Sequence, residues 1–368
     1  MATAPQTRAP LDGQHFQVLV IGGGINGVAI ARECARAHRS VLLVEQHDFA
    51  SGTTSRSTRI IHGGLRYLEH GELGLVRESL RERQRLLHDH PHLVQPMQFL
   101  LALDGHGRHS SMALRAGLWL YTALGNRHSG SADAQLQRRK LERVLDQGRH
   151  WSVFDYEDAQ CEFPERLVAE WVTDAVTAGA TVRNHTEVLA VDISNGRARG
   201  ALLRDRLTGK EARVEAAWII NATGPWADRL CQRSRISTRR AMLGGVRGSH
   251  LVLPRFSGAP DAAVYAEASD GRPFFTIPWN GQVLVGTTEV PDQGDPSRCV
   301  PSEGETDYLL RSFAKVFPRS GITPSDVRYA FAGVRPLPAS SKKSPGAVSR
   351  RHILHDHKIG RASCRERV

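Results

Sequence analysis

The chain has 368 residues, 40% of them hydrophobic and 24% charged, with a formal net charge of +11 and a sequence pI near 9.9. That length holds two domains of roughly 100–200 residues each, and the composition is that of a folded globular chain rather than a low-complexity one. The five cysteines (Cys34, Cys161, Cys231, Cys299, Cys364) are odd in number and lack a C-x-x-C spacing, which speaks against a disulfide framework or a zinc site and for a reducing compartment.

No stretch approaches the ~18 apolar residues of a membrane-spanning helix, so membrane contact is expected only at the periphery. Basic residues are scattered and come without a DNA- or RNA-binding motif, and nucleic acid is not expected as a partner. Met1–His15 is rich in Pro, Ala and Gln without the apolar centre of a secretory signal, and it reads as a disordered segment.

Phe16 to Glu45 organises the rest. An apolar run, Val18-Leu-Val-Ile21, enters Gly22-Gly-Gly-Ile-Asn-Gly27, then an apolar-periodic stretch, then Val41-Leu-Leu-Val44 and Glu45. This is the strand–turn–helix–strand of a dinucleotide-binding βαβ unit, with Gly22, Gly24 and Gly27 at the G-x-G-x-x-G positions. Gly22 allows the turn, Gly24 lets a pyrophosphate approach the backbone, and Gly27 lets the helix pack on the sheet. The helix N-terminus then faces the phosphates. Glu45 is placed to accept hydrogen bonds from a ribose diol and disfavours a 2′-phosphorylated cofactor.

The hydroxyl-rich stretch from Ala50 to Thr58 follows that strand, with Thr54 and Ser55 as cofactor donors. Next comes Arg59-Ile-Ile-His-Gly-Gly-Leu-Arg-Tyr-Leu-Glu-His70, where Gly63 and Gly64 let the chain pass close to a ring system and His62 stands beside them. Leu73 to His90 reads as an amphipathic helix ended by Pro91 and Pro96. Phe99–Leu103 reads as a strand and Met112–Leu124 as a helix, while the polar stretch up to His150 shows no legible chemistry. A helix over Pro164–Gly179 and short strands follow, with a hairpin at Thr208-Gly209. A buried strand ends in Asn221-Ala222-Thr223-Gly224, where backbone can touch the cofactor again. From Gly244 the period changes to 2, with strands at Ser249–Leu253, Phe274–Ile277 and Gln282–Gly286, the last two joined by a turn at Trp279-Asn280-Gly281. A helix over Leu309–Phe317 and a strand within Val327–Leu337 complete this part. The last ten residues, 359–368, lack an apolar period and read as a non-native tail outside the fold.

In order, Gly22–Gly27, Ile61-His-Gly-Gly-Leu-Arg-Tyr-Leu-Glu-His70, Asn221–Trp226, Gly248-Ser-His250, Ile277-Pro-Trp279, Gly286-Thr-Thr288 and Gly333-Val-Arg-Pro-Leu337 resemble the FAD-dependent, quinone-linked glycerol-3-phosphate dehydrogenase family over about residues 16–354. The resemblance implies an α/β, glutathione-reductase-like FAD-binding Rossmann domain with a second, antiparallel substrate domain, as in amino-acid oxidases. The expected division is 16–90, 151–243 and 325–358 for FAD against 91–150 and 244–324 for substrate. It also implies FAD as cofactor, a phosphorylated small-molecule substrate, a membrane quinone as electron acceptor, and a cytoplasmic protein peripheral on the inner face of the membrane. An oligomer is compatible with it. The expected base is His62, whose unperturbed pKa near 6.5 suits proton abstraction. Arg335, Arg350 and Tyr67 are expected on the substrate phosphate. The family's following Gly-Gly-Lys-x-Thr-Thr-Tyr-Arg segment and helical domain do not stand in this sequence. Three other readings remain: an amino-acid oxidase of the same fold, a nicotinamide dehydrogenase, and a flavin-binding remnant without activity.

Overall fold

The computed structural model describes residues 10–64, 71–104, 117–121, 123, 132–238, 240–339, 348, 353–357, 359 and 362–364. They fall into two units, Met1–Ser55 with Pro164–Val246 and Val334–Val368, and Arg56–Phe163 with Arg247–Gly333.

In the first unit, β1 (His15–Ile21) lies parallel between β2 (Val41–Val44) and β9 (Glu211–Asn221), and β6 (Thr181–Arg183) extends the sheet beyond β2. Alternate residues of β1 explain why its run is apolar throughout. Val18 and Val20 meet α1 (Ile25–Arg36) and α4 (Pro164–Thr177) through Val28, Ala31, Ala35, Val168 and Ala175. Leu19 and Ile21 meet the opposite core, built by the hairpin of β7 (Thr186–Ser194) and β8 (Arg197–Asp205) with Leu230 of α5 (Ala227–Arg233). A parallel strand covered on both faces has no polar side to show.

The second unit holds a nine-stranded sheet in the order β14-β10-β13-β12-β11-β4-β5-β3, with β15 beside β10. Its strands are β3 (Ile60–Ile61), β4 (Val94–Asp104), β5 (Trp151–Cys161), β10 (Leu243–Pro254), β11 (Ala263–Glu267), β12 (Pro273–Trp279), β13 (Gln282–Gly286), β14 (Val290–Pro291) and β15 (Tyr329–Pro338). One core contains Leu141 of α3 (Ala132–Val144) and Phe313 of α6 (Glu303–Val316). The other contains Val76 and Leu80 of α2 (Leu73–Asp89) with Phe99, Tyr121 and Tyr156.

Several expectations are corrected. Residues 56–90, 151–163 and 325–333 belong with the second unit and 244–246 with the first; β3 pairs with β5, β5 pairs along its length with β4, and β4 pairs with β11. That last pair is parallel, so the sheet is mixed. Pro96 lies inside β4 and does not end α2. The β11 strand covers only Phe99–Ala102, so at Pro96 the strand has β5 alone as neighbour, where a missing N–H is tolerated. Helix α6 starts ahead of the expected Leu309, at a capping box in which Ser302 and Glu305 exchange side-chain and backbone bonds. In the stretch expected outside the fold, Ala362–Cys364 (β17) pairs with β16 (Leu354–Asp356) and with β9 at Asn221. At the other end, residues 10–14 form a turn in which Gln14 N–H donates to Leu11 O, and His15 already belongs to β1.

Candidate functional site

In the first unit the glycine turn leaves β1 at Gly22, whose φ is +109°. A Cβ there would stand 2.5 Å from the Ala222 carbonyl oxygen, and one on Gly27 would stand 1.9 Å from that of Gly22. Both obstacles are backbone and cannot swing away, so only glycine lets α1 start directly off the turn and beside the end of β9.

Gly24 is the N-cap in extended conformation, with no side-chain cap and no acid in the first turn. The positive end of the helix is therefore left for an external anion. Thr54 Oγ1 accepts from Ile25 N–H at 3.1 Å, and Val28 N–H returns to Gly24 O at 3.0 Å. The Asn26 and Gly27 amides between them have no intrahelical acceptor in a first turn, which fits a pyrophosphate. Glu45 braces the turn, its Oε2 accepting from Gly23 N–H at 2.7 Å and its Oε1 from His47 N–H at 2.8 Å. Each oxygen keeps a second lone pair for a ribose hydroxyl.

The hydroxyls nearby are shared out. Ser55 donates to Gly52 O at 2.9 Å, so its proton holds its own 3₁₀ turn rather than a phosphate. Thr53 donates to Val334 O at 2.9 Å, tying the residue before Arg335 to the loop that follows β2. Thr223 donates to Asn221 Oδ1 at 2.7 Å, and the same oxygen accepts from Thr223 N–H at 3.2 Å. Asn221, buried at the end of β9, thus shapes the Ala222-Thr223-Gly224 turn, with Gly224 at φ +55°. Its signal was a polar residue closing an apolar strand, and sequence reasoning gave it no role. Arg335 is half-buried on β15 between buried Val334 and Pro336. Tyr67 and Arg350, expected beside it on the phosphate, lie outside the described residues.

In the second unit His62 is exposed and is followed by buried Gly63 and by Gly64 at φ +75°. Sequence reasoning missed what holds them. Gly63 N–H donates to Tyr121 Oη at 2.7 Å, the Tyr121 hydroxyl bonds both oxygens of Asp158, and Asp158 pairs with Arg83. His250 was also missed as a candidate, although its Gly-Ser-His motif was visible. It is buried, its Nε2 lies 2.9 Å from Thr58 Oγ1, and its ring stacks on Phe331 with centroids 5.0 Å apart.

Residues 17–360 match the family described as FAD dependent oxidoreductase. A glycerol-3-phosphate dehydrogenase of Synechocystis sp. is 41% identical over 355 residues, covering 93% of this chain and 64% of that protein. A D-erythritol 1-phosphate dehydrogenase of Brucella abortus is 36% identical over 352 residues, covering 94% and 68%. The chain thus spans about two thirds of the length of these curated relatives. Among solved structures, the glycerol-3-phosphate dehydrogenase from Bacillus halodurans complexed with FAD superimposes with a TM-score of 0.75 at 27% identity, over 96% of this chain and 61% of that one. Glycine oxidase from Geobacillus kaustophilus, at 18% identity and a TM-score of 0.63 over 96% of this chain and 89% of that one, shares the fold.

Proposed function

The chain belongs to the FAD dependent oxidoreductase family, and from that membership we propose that it oxidises sn-glycerol 3-phosphate to dihydroxyacetone phosphate. The observation that carries the reading is the 41% identity to a glycerol-3-phosphate dehydrogenase over 93% of the chain. The acid-free helix terminus at Gly22–Gly27 supports FAD as the cofactor.

Oxidising a secondary alcohol removes a hydride from carbon and a proton from oxygen. Bound FAD supplies the two-electron acceptor. The Asn26 and Gly27 amides would hold its pyrophosphate and Glu45 its ribose, and the Ala222–Gly224 turn would supply backbone contact. His62, as neutral imidazole, takes the hydroxyl proton. Arg335 grips the substrate phosphate, since a planar guanidinium binds two oxygens at once, and Tyr67 and Arg350 act on the same group. Electrons pass on to a membrane quinone. Among the described residues no helix is long and apolar enough to cross a membrane, and the net charge of +11 favours docking on an anionic inner leaflet.

A second reading takes a longer polyol phosphate as substrate, favoured by the 36% identity to the erythritol 1-phosphate enzyme. The same arginine and imidazole would serve it, and a panel of polyol phosphates ranks the two. The reading itself is tested by Arg335→Lys in a chain extended through the family's Gly-Gly-Lys segment. Hydrogen bonds to charged groups are worth roughly 1.5–3 kcal/mol, so kcat/KM for glycerol 3-phosphate is expected to fall about 10–100-fold. Unphosphorylated glycerol should barely respond, and flavin content should stay normal. Equal losses on both substrates would remove Arg335 from the phosphate site.

A further inference from the structure

The segment carrying His62 is anchored by charges buried in the second unit. Asp158 on β5 is 1% exposed, Arg83 on α2 is 2% and Tyr121 is 2%. The Tyr121 hydroxyl has one proton. Its oxygen accepts from Gly63 N–H, and it lies 2.9 and 2.8 Å from the two oxygens of Asp158. Its proton therefore goes to Asp158, which must be the acceptor. Arg83 pairs with Oδ1 of Asp158 and donates to Glu157 O at 2.9 Å. The Gly63 amide also stands 3.4 Å from Asp158 Oδ1. A Cβ on Gly63 would meet Leu80 Cδ2 at 2.5 Å and Tyr121 Oη at 2.6 Å, so any side chain there must push the Tyr121 hydroxyl from its place.

Val76, Leu80, Phe99 and Tyr156 surround these groups. Apolar residues could have closed such a core at no loss of stability, because burying an ion pair is itself costly. An apolar filling could neither hold an amide nor present a charge. We propose that Asp158, with Tyr121 and Arg83, is a positioning residue for His62: it ties down the amide next to the imidazole and sets a carboxylate beside that amide. The inference rests on the reading of His62 as the proton acceptor.

Burial pushes the Asp158 carboxyl up, while Arg83 from α2, then His62, and the Tyr121 hydroxyl draw it back. The Tyr121 and Tyr156 hydroxyls are pushed well above the ordinary phenol range, by burial first and then by Asp158, so they stay neutral. Asp158, paired with Arg83, thus holds a carboxylate oxygen 3.4 Å from the Gly63 amide, one residue from His62. An anion favours imidazolium, and removing it must lower the pH at which His62 takes a proton.

The experiment follows the ring resonances of His62 against pH, assigned by their loss in His62→Gln. In Asp158→Asn the midpoint is expected to fall by roughly 0.5–1 pH unit, with the acid limb of kcat/KM moving the same way. That variant strands a buried guanidinium, so Tyr121→Phe is measured beside it. It keeps the ion pair and removes only the hydroxyl, and the Gly63 amide is expected to exchange about tenfold faster or more. If Asp158→Asn does not fold, the exchange result decides alone. An unchanged midpoint in folded Asp158→Asn, or unchanged Gly63 exchange in Tyr121→Phe, overturns the proposal. Full turnover by His62→Gln would remove the base reading while leaving the titration result standing.

Discussion

The turn at Gly22–Gly27 and the turn at His62–Gly64 both bring backbone to a place where side chains would obstruct, yet they are held by different materials. The first is held by main chain: Gly22 N–H on Val44 O, Gly22 and Gly27 packed on carbonyl oxygens, and one carboxylate, Glu45, from the adjacent strand. The second is held from the core by side chains of α2, β5 and the helical stretch at 117–121. A turn built from main chain tolerates most distant substitutions and fails at its glycines. A turn hung on buried charges depends on residues far away in sequence, and it responds when any one of them is lost.

Substitutions can break each turn in its own way. The largest effect is expected from Gly27→Val. Its Cβ would fall 1.9 Å from the Gly22 carbonyl oxygen, and neither strand nor helix can retreat without unpacking Val28 and Ala31 from the sheet. Flavin binding should be lost, read by the absorbance of the purified protein. Stoichiometric flavin in that variant would place the cofactor elsewhere.

A smaller effect is expected from Arg83→Met, which leaves Asp158 buried without its cation. Removing one partner of a buried pair costs about 3–5 kcal/mol, measured by urea unfolding. Flavin content per folded molecule should not change, because nothing in the glycine turn is touched. If Arg83→Met lost flavin in proportion to Gly27→Val, the two turns would not be independent.

The same contrast explains what could be read in advance. The β1–α1–β2 unit is local: an apolar run, a glycine spacing and a helical period lie within residues 16–45. The turn at Asn280-Gly281 was equally legible, and both residues have positive φ, 47° and 70°, as a two-residue hairpin turn demands. The start of α6 carried its signal in Ser302-x-x-Glu305, which an apolar-period reading alone passed over. The seat of His62 had no such signal. Arg83 and Tyr121 meet Asp158 across 75 and 37 residues of chain, and only the pairing of β4 with β5 and the packing of α2 bring them together. The same long-range pairing moved residues 56–90 and 151–163 into the second unit. Glu45 was found for its acid and its position. That it also braces Gly23 and His47 follows from backbone geometry no spacing records.

The proposed electron donor is a phosphorylated polyol. Anaerobic titration of the flavin-loaded chain, extended through the Gly-Gly-Lys segment, tests it most directly by following the visible flavin band. Stoichiometric bleaching is expected with sn-glycerol 3-phosphate, and none with glycine, proline or unphosphorylated glycerol at the same concentration. Bleaching by an amino acid, or a flavin that stays oxidised with every polyol phosphate offered, would contradict it.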